Sequence, residues 1–199
     1  MSDDNVEQVI KIVMVGESGV GKTNLVFRFF KDKFEHTQAP TIGMDFSATE
    51  LDIDGHRIRA QLWDTAGQEK YKAIARQYFK AVHGVLLVYD ICNRNTFAKV
   101  KSWLNDINEN KTKDVLVMLV GNKIDLIERR EVPTAEGERF AQEHKMFFWE
   151  TSALTNQDNC VHQAFMTIIR ECFRKAMVEH AAELEQREKD ERASFRASE

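Results

Sequence analysis

Eight consecutive residues, Gly16, Glu17, Ser18, Gly19, Val20, Gly21, Lys22 and Thr23, follow the spacing G-x-x-x-x-G-K-T, with Asn24 directly behind them. That run is suited to holding a polyphosphate. Its glycines let the backbone come close to phosphate oxygens, and successive N–H groups at the start of a helix form an anion site. Lys22 brings a mobile positive charge to the β- and γ-phosphates, and the Thr23 hydroxyl ligates Mg²⁺. A match of this kind also arises by chance in flexible loops, so its weight rests on context. Here a strand-like IKIVMV, residues 10–15, precedes it and a helix-like segment, residues 22–30, follows.

Three further groups fall after apolar runs. Asp64-Thr65-Ala66-Gly67-Gln68 closes the segment IRAQLW. There the Asp64 carboxylate is placed to hold Mg²⁺ through water, and Gly67 to offer an unobstructed N–H to a γ-phosphate. Gln68 has both a donor and an acceptor, as orienting an attacking water requires, and is the candidate catalytic residue. Asn122-Lys123-Ile124-Asp125 follows the run ending at Val120. Asp125 can accept from guanine N1–H and the exocyclic amine, a donor pair that adenine lacks. Asn122 would brace the neighbouring loops, while the Lys123 stem and Phe34 cover the base. The competing reading of those four residues is a surface turn. Thr151, Ser152, Ala153 and Leu154 follow FFWE. The Ala153 N–H would meet guanine O6, although Ser and Thr after a strand are also ordinary helix caps. Thr41, in APTIGMDF, would close over Mg²⁺ and the γ-phosphate only while that phosphate is present, which makes it a sensor.

These groups need a scaffold that brings loop ends together. Short apolar runs alternate with amphipathic stretches, the pattern of βα units on a mostly parallel sheet. Residues 46–63 depart from it, reading as two alternating strands around Asp54-Gly55, a pair that favours a tight hairpin. Strands at 85–90, 115–120 and 146–150 and helices at 96–108, 134–144 and 158–177 complete the pattern, with a short irregular helix near 71–79. The expected fold is α/β: a six-stranded, mostly parallel sheet with one antiparallel edge hairpin and five helices on both faces. Ligands of such sheets bind beyond the carboxyl ends of the strands. Residues 10–177 make one domain, after a polar segment at 1–9. Residues 178–199 form a charged extension, helical or disordered, whose Glu183–Arg187, Glu185–Lys189 and Glu188–Arg192 pairs stand at i,i+4 spacing.

Composition narrows the remaining possibilities. A chain of 199 residues with 43% hydrophobic content builds one soluble domain, and its net charge of −4 is spread without the basic face that nucleic acid requires. Cys92, Cys160 and Cys172 lack metal-ligand or redox spacing, and the six histidines stand near no nucleophile motif. The polar start MSDDNVEQ excludes a secretory signal, and no apolar run approaches the roughly 20 residues of a membrane span, so a cytosolic protein is expected.

The phosphate loop, Thr41, DTAGQE, NKID and TSA, in that order and spacing, resemble the small GTPases of the Ras superfamily over residues 10–173. Within it IGMDF, WDTAGQEKYKAI and QYFK are most similar to Rab proteins. GKTNLVFRF, LVGNKIDL, VPTAE and ETSAL resemble the Rab subgroup of recycling endosomes and the trans-Golgi. The resemblance implies a switch that hydrolyses GTP to GDP with Mg²⁺, works as a monomer, and answers to an exchange factor and an activating protein. It also implies effectors that read both switch segments together with an aromatic triad, Phe46, Trp63 and Tyr78. Two other readings compete: a scaffold that holds nucleotide without a cycle, and a nucleotide kinase, for which no arginine-bearing lid is apparent. Met44, Lys80-Ala81-Val82 and Leu154 depart from the usual pattern, the last in common with the endosomal subgroup. Rabs end in one or two prenylated cysteines, whereas this sequence closes on ASFRASE. Either cysteines follow Glu199 in the native chain, or membranes on the cytosolic face of endosomes or Golgi are reached through partners.

Overall fold

A computed structural model describes residues 7–37, 39, 41–67, 77, 79, 80, 82–111 and 114–197, with side chains to residue 190. The order is β1 (Gln8–Val15), α1 (Lys22–Lys31), β2 (Met44–Ile53), β3 (His56–Thr65), β4 (Gly84–Asp90), α2 (Arg94–Ala98), α3 (Val100–Asn110) and β5 (Leu116–Asn122). A 3₁₀ segment (Ile124–Arg129), α4 (Thr134–Glu143), β6 (Phe147–Thr151), a second 3₁₀ turn (Gln157–Asn159) and α5 (Cys160–Ala197) follow. The six strands form one sheet in the order β2-β3-β1-β4-β5-β6, in which only the β2–β3 pairing is antiparallel. The α/β architecture expected from the alternating runs is the one observed.

Side-chain alternation on the strands explains the layers. Ile10, Ile12 and Met14 of β1, with Leu86 and Val88 of β4, face one way, against Leu25 of α1 and Phe165, Ile168 and Ile169 of α5. Val13 and Val15, with Val85, Leu87 and Tyr89, face the other way, against Val100, Trp103 and Ile107 of α3 and Ala141 of α4. Every residue of β4 is buried, which is why its sequence is a continuous apolar run. The hairpin turns on Asp54 and Gly55, both left-handed at φ 53° and 83°, with Ile53 paired to His56. That is the two-residue geometry whose twist matches the flanking strands.

Boundaries moved where capping chemistry decided them. The single helix expected over 96–108 is two, because Asn93 caps the Asn95 N–H and starts α2 earlier, and α3 begins only after Lys99. The final helix starts at Cys160 and not at Asp158, since Asn156, Asp158 and Asn159 are all left-handed. It then runs unbroken to Ala197, and every described side chain from 177 to 190 is exposed. Among the described residues no helix is long and apolar enough to cross a membrane. The expected helix near 71–79 falls largely outside them.

Candidate nucleotide-binding site

β1 lies between β3 and β4, where the strand order reverses, and the loop leaving its carboxyl end opens into α1. Gly16 sits there at φ 140°, and a β-carbon on it would run into the backbone carbonyl of Val88. α1 starts behind Gly21, which is left-handed and offers no side-chain cap. The first-turn N–H groups are therefore left to an anion. Lys22 folds back over the loop, its ammonium donating to the carbonyls of Gly16 and Glu17, both at 2.9 Å. Burial pushes that ammonium down to about 8, against the opposing pull of the Asp64 and Glu17 carboxylates. Phosphate oxygens would favour the charged form and push it up again.

Above the loop opens a cleft of about 430 Å³. Of the residues predicted from sequence, Ser18, Gly19, Gly21, Lys22, Thr23, Asn24, Phe34, Thr41, Gly67, Asn122, Lys123, Asp125, Ala153 and Leu154 line it. Gly16, Glu17, Val20 and Ser152 are not among the residues that line it. Asp64 opens on a smaller adjoining hollow shared with Thr23 and Thr41. Gln68 and Tyr78 lie outside the described residues.

At the base end the contacts interlock. Asn122 donates to the Val20 carbonyl at 2.9 Å, and its side-chain oxygen accepts from the Thr151 hydroxyl at 3.2 Å and the Ala153 N–H at 3.3 Å. Lys123, left-handed at φ 75°, places its ammonium 2.8 Å from the Gly19 carbonyl and 2.7 Å from an Asp90 carboxylate oxygen. The Ser152 hydroxyl donates to Asp125 Oδ1 at 2.5 Å, and a carboxylate oxygen with one such bond can still accept another.

At the phosphate end, Thr23 Oγ1 donates to Asp64 Oδ2 at 2.5 Å and lies 2.9 Å from the Thr41 hydroxyl. Asp64 Oδ1 is buried without a hydrogen-bond partner among the described residues. Desolvation raises the Asp64 carboxyl, and the Thr23 hydrogen bond and Lys22 charge pull it back. A buried, orphaned carboxylate oxygen beside two hydroxyls is a hard, all-oxygen donor set of the kind Mg²⁺ takes together with water and phosphate. These residues fit that ion. Gly67 lies flat on the phosphate loop, where a β-carbon would stand 2.5 Å from the Glu17 carbonyl and the Ser18 nitrogen.

Several contacts, among them those of Trp103 and Arg28, carry no sequence signal. The Asn24 side chain is engaged with the backbone of Glu35, donating at 3.1 Å and accepting at 3.0 Å, so it pins the segment that brings Phe34 and His36 to the cleft. Trp103 reads from sequence as packing, yet its indole N–H donates to Glu17 at 3.0 Å. Arg28 of α1 reaches the backbone of Ala153 and Leu154. Phe46 and Trp63 pair across β2 and β3 with ring centroids 5.4 Å apart, and Phe46 stays half exposed.

A model of the Ras family matches residues 11–174. The Ras-related protein RABA5a of Arabidopsis thaliana is 44% identical over 171 residues, which cover 86% of this chain and 76% of that protein. Together with a phosphate loop at the sheet's switch point and NKID and TSA segments closing on one cleft, these likenesses settle the family. The chain belongs to the Ras family, as a Rab-type small GTPase that binds guanine nucleotide, hydrolyses GTP and acts with effectors, exchange factors and activating proteins in membrane trafficking.

Proposed function

We propose that the cleft binds GTP and GDP with residues 16–24 on the phosphates, Asp125 on the guanine N1–H and amine, Ala153 N–H on its O6, and Lys123, Phe34 and Leu154 around the base. Thr23, Thr41 and Asp64 would hold Mg²⁺, directly or through water. When bound, that ion neutralises charge on the β- and γ-phosphates. What supports this reading is one observation: a single cleft gathers the phosphate loop, Thr41, Gly67, the Asn122–Asp125 turn and Ala153 from five separate stretches of chain. Thr41 and Gly67 are the two γ-phosphate sensors, Thr41 through its hydroxyl beside Thr23 and Gly67 through its close approach to the Glu17–Ser18 peptide, so loss of that phosphate releases both segments.

Gln68 orients the attacking water in this scheme. The Gln68→Leu variant is expected to bind GTP normally and to hydrolyse it about tenfold more slowly in single turnover, by analogy with other water-positioning groups. An unchanged rate would remove the role from Gln68.

Phe46, Trp63 and Tyr78 are the surface that effectors read together with both switch segments, and the protein works as a monomer without nucleic acid. Its membranes are those of recycling endosomes and the trans-Golgi, reached from the cytosolic face. Residues 10–177 form the GTPase domain and 178–199 a solvated extension. Deleting 178–199 removes exposed side chains only among the described residues. The melting temperature of the GDP-bound protein should then stay within about 2 °C in calorimetry. A larger fall would place part of the extension in the domain.

A further inference from the structure

Arg28 lies on α1, one turn before its end, with only 13% of its side chain exposed. Its Nε donates to the Ala153 carbonyl at 2.9 Å and its Nη2 to the Leu154 carbonyl at 3.0 Å. Nη1 donates to the Asp32 carbonyl and to the Asp32 carboxylate, both at 2.9 Å. Adjacent N–H groups of one rigid plane thus grip two consecutive peptide carbonyls, a geometry that a lysine ammonium does not reproduce. On the preceding peptide, the Ser152 carbonyl accepts from Asn156 N–H at 2.9 Å. Ala153 is therefore fixed on both sides, Ser152 by its own loop and the Ala153–Leu154 peptide by a helix 125 residues away in sequence.

We propose that Arg28 is a positioning residue for guanine recognition: it holds the Ala153 and Leu154 carbonyls so that the Ala153 N–H, which donates to Asn122 Oδ1 at a long 3.3 Å in this structure, is placed to be shared with the base carbonyl. This rests on the guanine reading of Ala153 given above and adds the group that enforces it. Arg28 also closes a ring. α1 starts at the phosphate-gripping Lys22, Val20 is tied to Asn122, Asn122 touches Ala153, and Arg28 returns from Ala153 to α1. A loop order that depends on α1 makes the base contact sensitive to how that helix sits on the phosphates.

A mere capping role on α1, through Asp32, would loosen the protein for every nucleotide alike. Dissociation rates of GDP and 6-thioguanosine diphosphate from the full chain separate the two. The thio analogue keeps N1–H and the amine but offers a weaker acceptor at position 6. For Arg28→Ala, GDP should leave about tenfold faster and the thio analogue no more than about twofold faster. Arg28→Lys should give an intermediate shift in the same ratio, and it decides the matter if the alanine variant does not fold. Equal acceleration of both nucleotides, or an unchanged GDP rate, overturns the proposal. The underlying reading fails separately, on the unaltered protein, if GDP is not preferred over ADP, and the role of Arg28 falls with it.

Discussion

Asp125→Asn is expected to lower GTP affinity on the order of 10³-fold and to turn the preference of the cleft towards xanthosine triphosphate. In the proposed contact the wild-type carboxylate presents two acceptor oxygens to two donors, guanine N1–H and the amine. An amide keeps one acceptor and turns an N–H₂ group towards the amine, so one charge-assisted bond is lost and donor faces donor. Xanthine carries a carbonyl where guanine carries the amine, which restores the match. The fold should tolerate the change, because the Ser152 hydroxyl, now 2.5 Å from Asp125 Oδ1, can donate equally to the amide oxygen. Competition between GDP and xanthosine diphosphate for the nucleotide-free protein measures the switch. An unaltered preference for GDP would place the guanine contact on another residue.

Such a prediction can be made from sequence because its chemistry sits in consecutive residues at a strand end. The phosphate loop and Asn122–Asp125 are legible for the same reason: three or four groups on one short turn have their relative positions fixed by local backbone geometry. The sheet was legible through its burial, continuous in β4 and alternating in β3. Helix edges were not, since Asn93 and the left-handed Asn156, Asp158 and Asn159 compete with neighbouring polar residues for the same capping role. Least legible were the groups that bridge distant segments. Arg28 reaches across 125 residues and Trp103 across 86, and neither spacing leaves a trace in the local pattern. Trp103 reads as a core residue and is one, at 1% exposed, but its indole N–H is what anchors Glu17.

That anchoring decides the outcome of a change at Gly67. Gly67 does not adopt a left-handed backbone, so alanine suits its conformation and only space is at issue. The added carbon would stand 2.5 Å from the Glu17–Ser18 peptide. The phosphate loop cannot retreat, because Lys22 holds the Glu17 carbonyl at 2.9 Å and Trp103 holds its carboxylate at 3.0 Å. The segment bearing Gly67, and Gln68 next to it, must move outwards instead. In Gly67→Ala the N–H proposed to meet the γ-phosphate and the amide proposed to orient the water would therefore both be misplaced. GTP hydrolysis in single turnover should fall on the order of 10²-fold, the usual effect of about an ångström of misplacement. GDP binding, which uses no contact from this segment, should stay within about twofold by titration. Hydrolysis at the wild-type rate would mean that the phosphate loop yields, and that the Trp103–Glu17 bond does not hold it.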